Sequence, residues 1–568
     1  MKTNSRMFLS VTIIAFCIMM PLYGEQNLPS LYDNDSFSKG NSKFDYSSLT
    51  WIESFDSLQA CLSLRYAFTQ WKAIDWEEKV IETRPKIIEA QDTQDNVKFI
   101  QTLFEYLNDV PDGHISLIGD VDPFKQDKLA GCYGFNIMPI SDGRIVATLV
   151  LEGSPAYENG LRTGDRIISW NGVDVHAVSQ RELWNYFRNY ATLEGRLLSR
   201  YTMLSRDAIG TQATITYQNH ETDSEETMTL DAYEDDFELF TAAVLNTASL
   251  SYIETYVEYH ILQSGNGYLR IGAEDSDAMT PEEIMESEIF IEVVEAIDYF
   301  NANDVNNLII DLRFNMGGND LMAAVMMGLF YDEASFYEYI TGPFEMDYAI
   351  MFTLWTTPIT PRYDGNVVAL IDPNCISTGE GLAMMIKRLE KGRIVSSWGT
   401  NGSFGMVDYD PIFLPEGLIL IFPQARSLNE NQVIQLDSDS TLTGGVVPDI
   451  RIPLTVENVI AQWNQDRDVQ LEYADSILTE EHCSQSAVLL YPNPCSENLK
   501  IKILREFETS CDISFYDIRG RFIHEQRINF GALGEAIHLD THIFSSGIYF
   551  YHISDRTNEY VGKILHIE

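Results

Sequence analysis

The chain has 568 residues, 45% hydrophobic and 22% charged, enough apolar material for three or four domains of roughly 150 residues each. Asp and Glu number 85 against 38 Lys and Arg, a formal net charge of -47. That balance excludes nucleic acid and anionic membranes as partners, since both are held by neutralising cations; the acidity is spread along the chain and marks a solvated, repulsive surface.

Lys2 and Arg6 precede the apolar run MFLSVTIIAFCIMMPLYG, a signal-peptide pattern with cleavage near Gly24. Ser10, Thr12 and Pro21 interrupt the run, which is short for a membrane span. No later run is long and apolar enough to cross a bilayer, so the mature chain is expected to be exported, with no transmembrane segment. Residues 25–128 read as a polar leader followed by a helical domain. There FDSLQACLSLRYAFTQW and NVKFIQTLFEYLNDV space apolar residues three and four apart. Residues 129–235 read as a β-rich module, with YGFNIMPI, GRIVATLVL, DRIISWNGVDV and QATITYQ as strands. Residues 236–465 alternate strand and helix (GYLRIGA, EIFIEVVEAIDYFNAN, NNLIIDLRF, LMAAVMMGLFY), the pattern of an α/β layer. A helix running into a polar linker occupies 466–486, and 487–568 alternates apolar and polar residues between turns, a small all-β sandwich. The fold class is multidomain α/β. Six cysteines follow the leader, scattered and without a CxxC pair, so no zinc site is expected. Export permits disulfides, but Cys483, Cys495 and Cys511 are an odd trio with no unique pairing.

Two strand-to-helix corners can carry chemistry. In NNLIIDLRFNMGGND (306–320) an apolar strand ends at Asp311-Leu312-Arg313, and Gly317-Gly318 precede a helix. Paired glycines let N–H groups point at a ligand without Cβ clashes, as an oxyanion hole requires. In VVALIDPNCISTGEGLAMMIKRLEKGRIV (367–395), Ser377 stands where a strand stops and a helix starts. Such a corner can hold a hydroxyl over a cleft. The alternative is that Ser377 or Thr378 only caps the helix, with Glu380 completing a capping box.

GSPAYENGLRTGDRIISWNGVDV (153–175) resembles the core of a PDZ domain: a turn, a short helix, and a strand into an Asn171-Gly172 hairpin. PDZ domains take a peptide as an added strand and hold its carboxylate with backbone N–H groups. By that resemblance the nest is Tyr133, Gly134 and Phe135.

The helical start, the PDZ insert, LIIDLRFNMGG, STGEG and GGVVPDI (444–450), in that order, resemble the S41 family of serine peptidases over residues from about 55 to 460. The family includes the C-terminal processing proteases and a tricorn and interphotoreceptor-retinoid-binding-like branch. The resemblance implies a ClpP/crotonase-like catalytic domain in 236–465. It makes Ser377 the nucleophile and the N–H groups of Gly318 and Thr378 the oxyanion hole. The processing branch takes its lysine from T-x-G-K, but this chain reads Thr400-Asn401-Gly402-Ser403, so a Ser-Lys dyad is rejected. The other branch implies His114, in PDGHISL, as the base. It also implies a glutamate before the last motif. Leu442 is nearest that place in QLDSDSTLTGGVVPD, and Asp437 or Asp439 is the substitute. Gly113 stands where the family can carry serine, and His260 has no motif support.

In the tail, YPNP (491–494), FYDIRGRFI, FSSGIYFYHI and GKILHIE resemble the C-terminal sorting domain of the type IX secretion system. That implies the type IX secretion machinery as a partner, with release or attachment at the cell surface. The reading is a secreted or cell-surface serine endopeptidase cleaving peptides or unfolded protein through an acyl-enzyme, with no cofactor or metal. Its alternative is an inactive scaffold of the same kind that binds peptide or adheres.

Overall fold

The computed structural model describes residues 43–568 except 179–188, 248–254, 408–409, 466, 479–487 and, in the C-terminal domain, 492–498, 504–509, 518–520, 530–535, 540, 542–543, 555–558 and 567–568. The signal-peptide run, residues 25–42, Cys483 and Cys495 therefore lie outside the described residues. No helix among the described residues is long and apolar enough to cross a membrane.

Three helices, Trp51–Arg65, Trp76–Thr93 and Asn96–Asn108, each begin at a side-chain cap: Thr50 in a capping box with Glu53, then Asp75, then Asp95. Their apolar stripes meet through Phe55, Leu58, Leu62, Ile87, Phe99 and Leu103. They do not stand alone as a domain. The same core takes in Ile412, Leu414, Leu418 and Leu420. The strand Ser116–Gly119, just beyond the helices, pairs antiparallel with Leu418–Ile421. The boundary expected at residue 128 is thus crossed by a sheet whose partner comes from far along the chain.

The β-rich module is a sheet in the order Phe135–Pro139, Ile145–Val150, Arg166–Trp170, Gln212–Gln218, Glu225–Asp231, packed against the helix Leu193–Leu204. Asn171 and Gly172 both have positive φ, 52° and 74°, between the paired Trp170 and Val173. This is the tight turn an Asn-Gly hairpin favours.

The α/β layer is a six-stranded sheet: Val257–Ile261, Gly267–Ile271, Asn307–Asp311, Asn366–Leu370, Gly392–Ser396, Ile450–Arg451. The first pair is antiparallel and the rest are parallel. Alternate residues face opposite ways. Leu308, Ile310, Val367 and Ala369 pack against the helices Glu288–Ala302, Asp320–Met327 and Thr378–Arg388. Ile309, Val368 and Leu370 pack against the helix Val469–Leu478 through Ala474. Asp468 also accepts two hydrogen bonds from the Arg313 guanidinium, at 2.9 and 2.7 Å. The helix expected to run into the linker at 466–486 thus covers the second face of the sheet over Val469–Leu478.

The tail forms a three-stranded and a four-stranded sheet around Leu499, Ile501, Ile513, Phe515, Leu539 and Ile553, the sandwich expected from its alternation.

Candidate active site

The site is built where the strands Asn307–Asp311 and Asn366–Leu370 end side by side. Asp372 ties the two corners together. Its Oδ1 accepts the Phe314 N–H at 2.7 Å and the Cys375 N–H at 3.0 Å, and burial pushes its carboxyl up. The Ile376 N–H then donates to the Asn315 carbonyl at 3.0 Å.

Ser377 follows with φ 58° and ψ -133°, a conformation that costs a non-glycine residue about 1–3 kcal/mol. It occupies the N-cap position of Thr378–Arg388, yet its side chain makes no cap hydrogen bond. The capping alternative therefore does not describe this corner. Glu380 does not complete a capping box either. Its Oε1 accepts the Thr400 hydroxyl at 2.5 Å and the Gly402 N–H at 2.9 Å, and its Oε2 accepts the Ser403 N–H at 2.8 Å. Burial pushes this carboxyl up to about 7 against those bonds. Ser377 is partly exposed while Ile376 and Thr378 are buried.

The Gly317-Gly318 turn lies against this corner. A Cβ on Gly317 would fall 2.5 Å from the Ser377 Cβ, and one on Gly318 only 2.3 Å from the Glu274 carbonyl oxygen. Flanking bonds pin Gly318 there: Glu274 N–H to Gly317 O at 3.1 Å and Asn319 N–H to Glu274 O at 2.8 Å. The Thr378 hydroxyl lies 2.8 Å from both the Gly318 carbonyl and an Asp320 carboxylate oxygen. Among the described residues, the N–H groups of Gly318 and Thr378 have no hydrogen-bond acceptor.

His114 is buried at 3% exposure, in the loop between the helix Asn96–Asn108 and the strand Ser116–Gly119. Asp112 shapes that loop, taking the His114 N–H on Oδ1 at 2.9 Å and the Tyr66 hydroxyl on Oδ2 at 2.6 Å. Ser403, where a dyad lysine would stand, joins both sides. Its Oγ accepts the Gly113 N–H at 2.8 Å, and its carbonyl accepts the Ser377 N–H at 3.0 Å. A Cβ on Gly113 would sit 2.3 Å from the Asn401 Oδ1 and 2.7 Å from the Ile376 Cδ1. A side chain at this position would have to displace those two neighbours.

Asp437 is buried behind this loop. Its Oδ2 accepts the Phe404 N–H at 3.2 Å, and its Oδ1 lies 3.6 Å from the Lys72 Nζ. Burial holds its carboxyl well above the usual range, with Lys72 pulling it back. Asp439 is instead spent on a turn, accepting from the Thr441 N–H and hydroxyl. His260 lies on the outer strand Val257–Ile261 with its ring 4.9 Å from that of Tyr268. Sequence reasoning missed Lys72, which lies in a turn between two helices and belongs to no motif.

Of the expected nest, Tyr133 is corrected as a donor: its N–H is committed to the Ser205 carbonyl at 3.1 Å. Gly134 has φ +83° and backs onto Ser154, and Phe135 is buried at the start of an edge strand.

Glu274, beneath the glycine turn, has another shifted carboxyl. Burial pushes it up to about 8 from 4.5, with the Asn315 amide as its hydrogen-bond donor at 2.7 Å. The folded state therefore holds a proton that the unfolded state releases between about pH 4.5 and 8. Stability from this group is full below that window and declines through it by about 1.4 kcal/mol per pH unit. Glu274→Gln should remove this decline, so its urea midpoint should rise relative to wild type between pH 5 and pH 8. A constant difference would contradict the assignment.

Residues 283–452 match peptidase family S41, residues 124–189 a PDZ domain, and residues 489–568 a secretion system C-terminal sorting domain. No curated protein matches the chain. Among solved structures, mature CPAF aligns at 14% identity and a TM-score of 0.54, over 75% of this chain and 96% of that one. Mature CPAF complexed with lactacystin aligns at 15% identity and 0.52, over 75% and 97%. At these identities the likeness is one of fold.

Proposed function

Taking the chain as a serine-type peptidase with an S41 domain, a PDZ domain and a C-terminal sorting domain, we propose an exported endopeptidase with Ser377 as nucleophile and His114 as base. The Ser377 Oγ attacks the scissile carbonyl carbon while His114 takes its proton. The carbonyl electron pair moves onto oxygen, where the Gly318 and Thr378 N–H groups receive it. Collapse of the tetrahedral species breaks the C–N bond, and His114 returns the proton to the departing amine. Water then attacks the acyl-enzyme by the same route and frees Ser377. Asp437 is the buried acid behind the histidine loop. Extended peptide enters by strand addition, for which Phe135–Pro139 offers an edge with a sheet partner on one side only. The sorting domain directs the chain through the type IX machinery to the cell surface or the medium.

One observation carries this reading: a backbone held at positive φ presents a serine hydroxyl with no capping bond beside two N–H groups without acceptors among the described residues. The purified mature protein should label with a fluorophosphonate probe, and Ser377→Ala should lose the label completely. Folded wild type that does not label would leave the peptide-binding scaffold as the better reading.

A further inference from the structure

Lys72 lies in the turn between the helices Trp51–Arg65 and Trp76–Thr93, outside the S41-matching residues. No other lysine among the described residues is buried. Its Nζ donates to the Pro111 carbonyl at 2.8 Å and the Ser438 hydroxyl at 3.2 Å. The same atom stands 3.6 Å from the Asp437 Oδ1, 3.9 Å from the Asp112 Oδ2 and 5.3 Å from the centre of the Phe68 ring. Beside it, the Trp71 indole N–H donates to the Asp437 carbonyl at 3.1 Å.

These contacts close a circuit. One side of Lys72 grips 111–112, the backbone that leads into His114. The other side grips 437–438. That loop is fastened in turn to the 402–404 turn, by Ser438 N–H to Gly402 O at 2.9 Å and by Phe404 N–H to Asp437 at 3.2 Å. Ser403 in that turn holds both the Gly113 and the Ser377 backbone N–H groups. The same ammonium also faces the carboxyl groups of Asp112 and Asp437.

We infer that Lys72 is a positioning residue for the hydrolytic site, setting the distance between the His114 loop and the Ser377 corner from the N-terminal helical segment. The inference rests on the assignment of Ser377 and His114. It makes the helical segment a working part of the site, with a lysine from another element bracing the place where the dyad lysine is absent.

The test compares wild type, Ser377→Ala, Lys72→Met and Lys72→Gln as full mature chains. It follows thermal unfolding, the rate of fluorophosphonate labelling, and kcat and KM on fluorescein-labelled casein. Lys72→Met keeps the apolar stem and removes the charge. Lys72→Gln keeps a donor for the Pro111 carbonyl and carries the test if the methionine variant does not fold. A folded variant should label and turn over about 10²-fold more slowly, the penalty of a reacting pair displaced by about 1 Å, with KM unchanged because Lys72 faces no substrate. Wild-type labelling with an equal rate in a folded Lys72 variant overturns this inference alone. Loss of folding in both variants also overturns it, since Lys72 would then hold the fold and not the site. Absence of labelling in wild type removes the assignment of Ser377 and the inference with it.

Discussion

His114→Ala should lower kcat by about 10⁴- to 10⁶-fold, and adding Ser377→Ala should cost almost nothing more, because a nucleophile and its base act as one unit. The substitution is a fair test of chemistry. What Asp112 holds at this position is the backbone N–H of residue 114, which alanine retains. Gly113 and Ser403 stay bonded as before, so the loop keeps its path. KM on casein should change little, since a histidine with 3% exposure offers substrate almost no surface. Additive losses in the double variant would mean that the two residues serve separate steps. Activity within tenfold of wild type would remove His114 from the mechanism.

Much of the fold was legible because its signals are local. NNLIIDLRF and VVALI are continuous apolar runs because their strands are covered on both faces. Asn171-Gly172 turned as its residue types demand. What failed were judgements about long-range pairing. Helical periodicity shows that residues 51–108 form amphipathic helices, but not that their apolar stripe is shared with Ile412 and Leu418. Nor does it say that the helix Val469–Leu478 lies on a sheet.

The site divides the same way. Ser377, Gly318 and Thr378 sit at corners whose strand, turn and helix are contiguous in sequence, and the structure places them against one another. His114 was singled out by motif alone, and the structure sets its loop against Ile376 and Ser403. Ser403 looked like a missing lysine, whereas its hydroxyl has a definite partner in the Gly113 N–H. The PDZ resemblance puts Tyr133 in the nest, whereas its N–H is taken by the Ser205 carbonyl at the end of a helix some seventy positions later. Lys72 had no sequence signal because its surroundings come from two distant segments, 111–112 and 437–438.

Gly318→Ala should lower kcat about 10²- to 10³-fold, the loss typical of one oxyanion donor, while KM on casein stays close to wild type. The added Cβ would fall 2.3 Å from the Glu274 carbonyl oxygen, 2.4 Å from its carbonyl carbon and 2.8 Å from its Cα. All three are backbone atoms, so no side chain can swing away to make room. Glu274 is itself fixed by its backbone bonds to Gly317 and Asn319, so the turn must give way and carry the Gly318 N–H with it. Overpacking of this kind costs about 1–3 kcal/mol of stability, visible as a lower urea midpoint but compatible with a folded chain. The Thr378 N–H, at the start of its own helix, would remain in place and leave partial catalysis. The loss should therefore be smaller than that of His114→Ala. A donor that meets the oxyanion only in the transition state lowers kcat and kcat/KM together. A rise in KM with kcat preserved would instead place the Gly318 N–H on the ground-state peptide and leave the oxyanion to Thr378 alone.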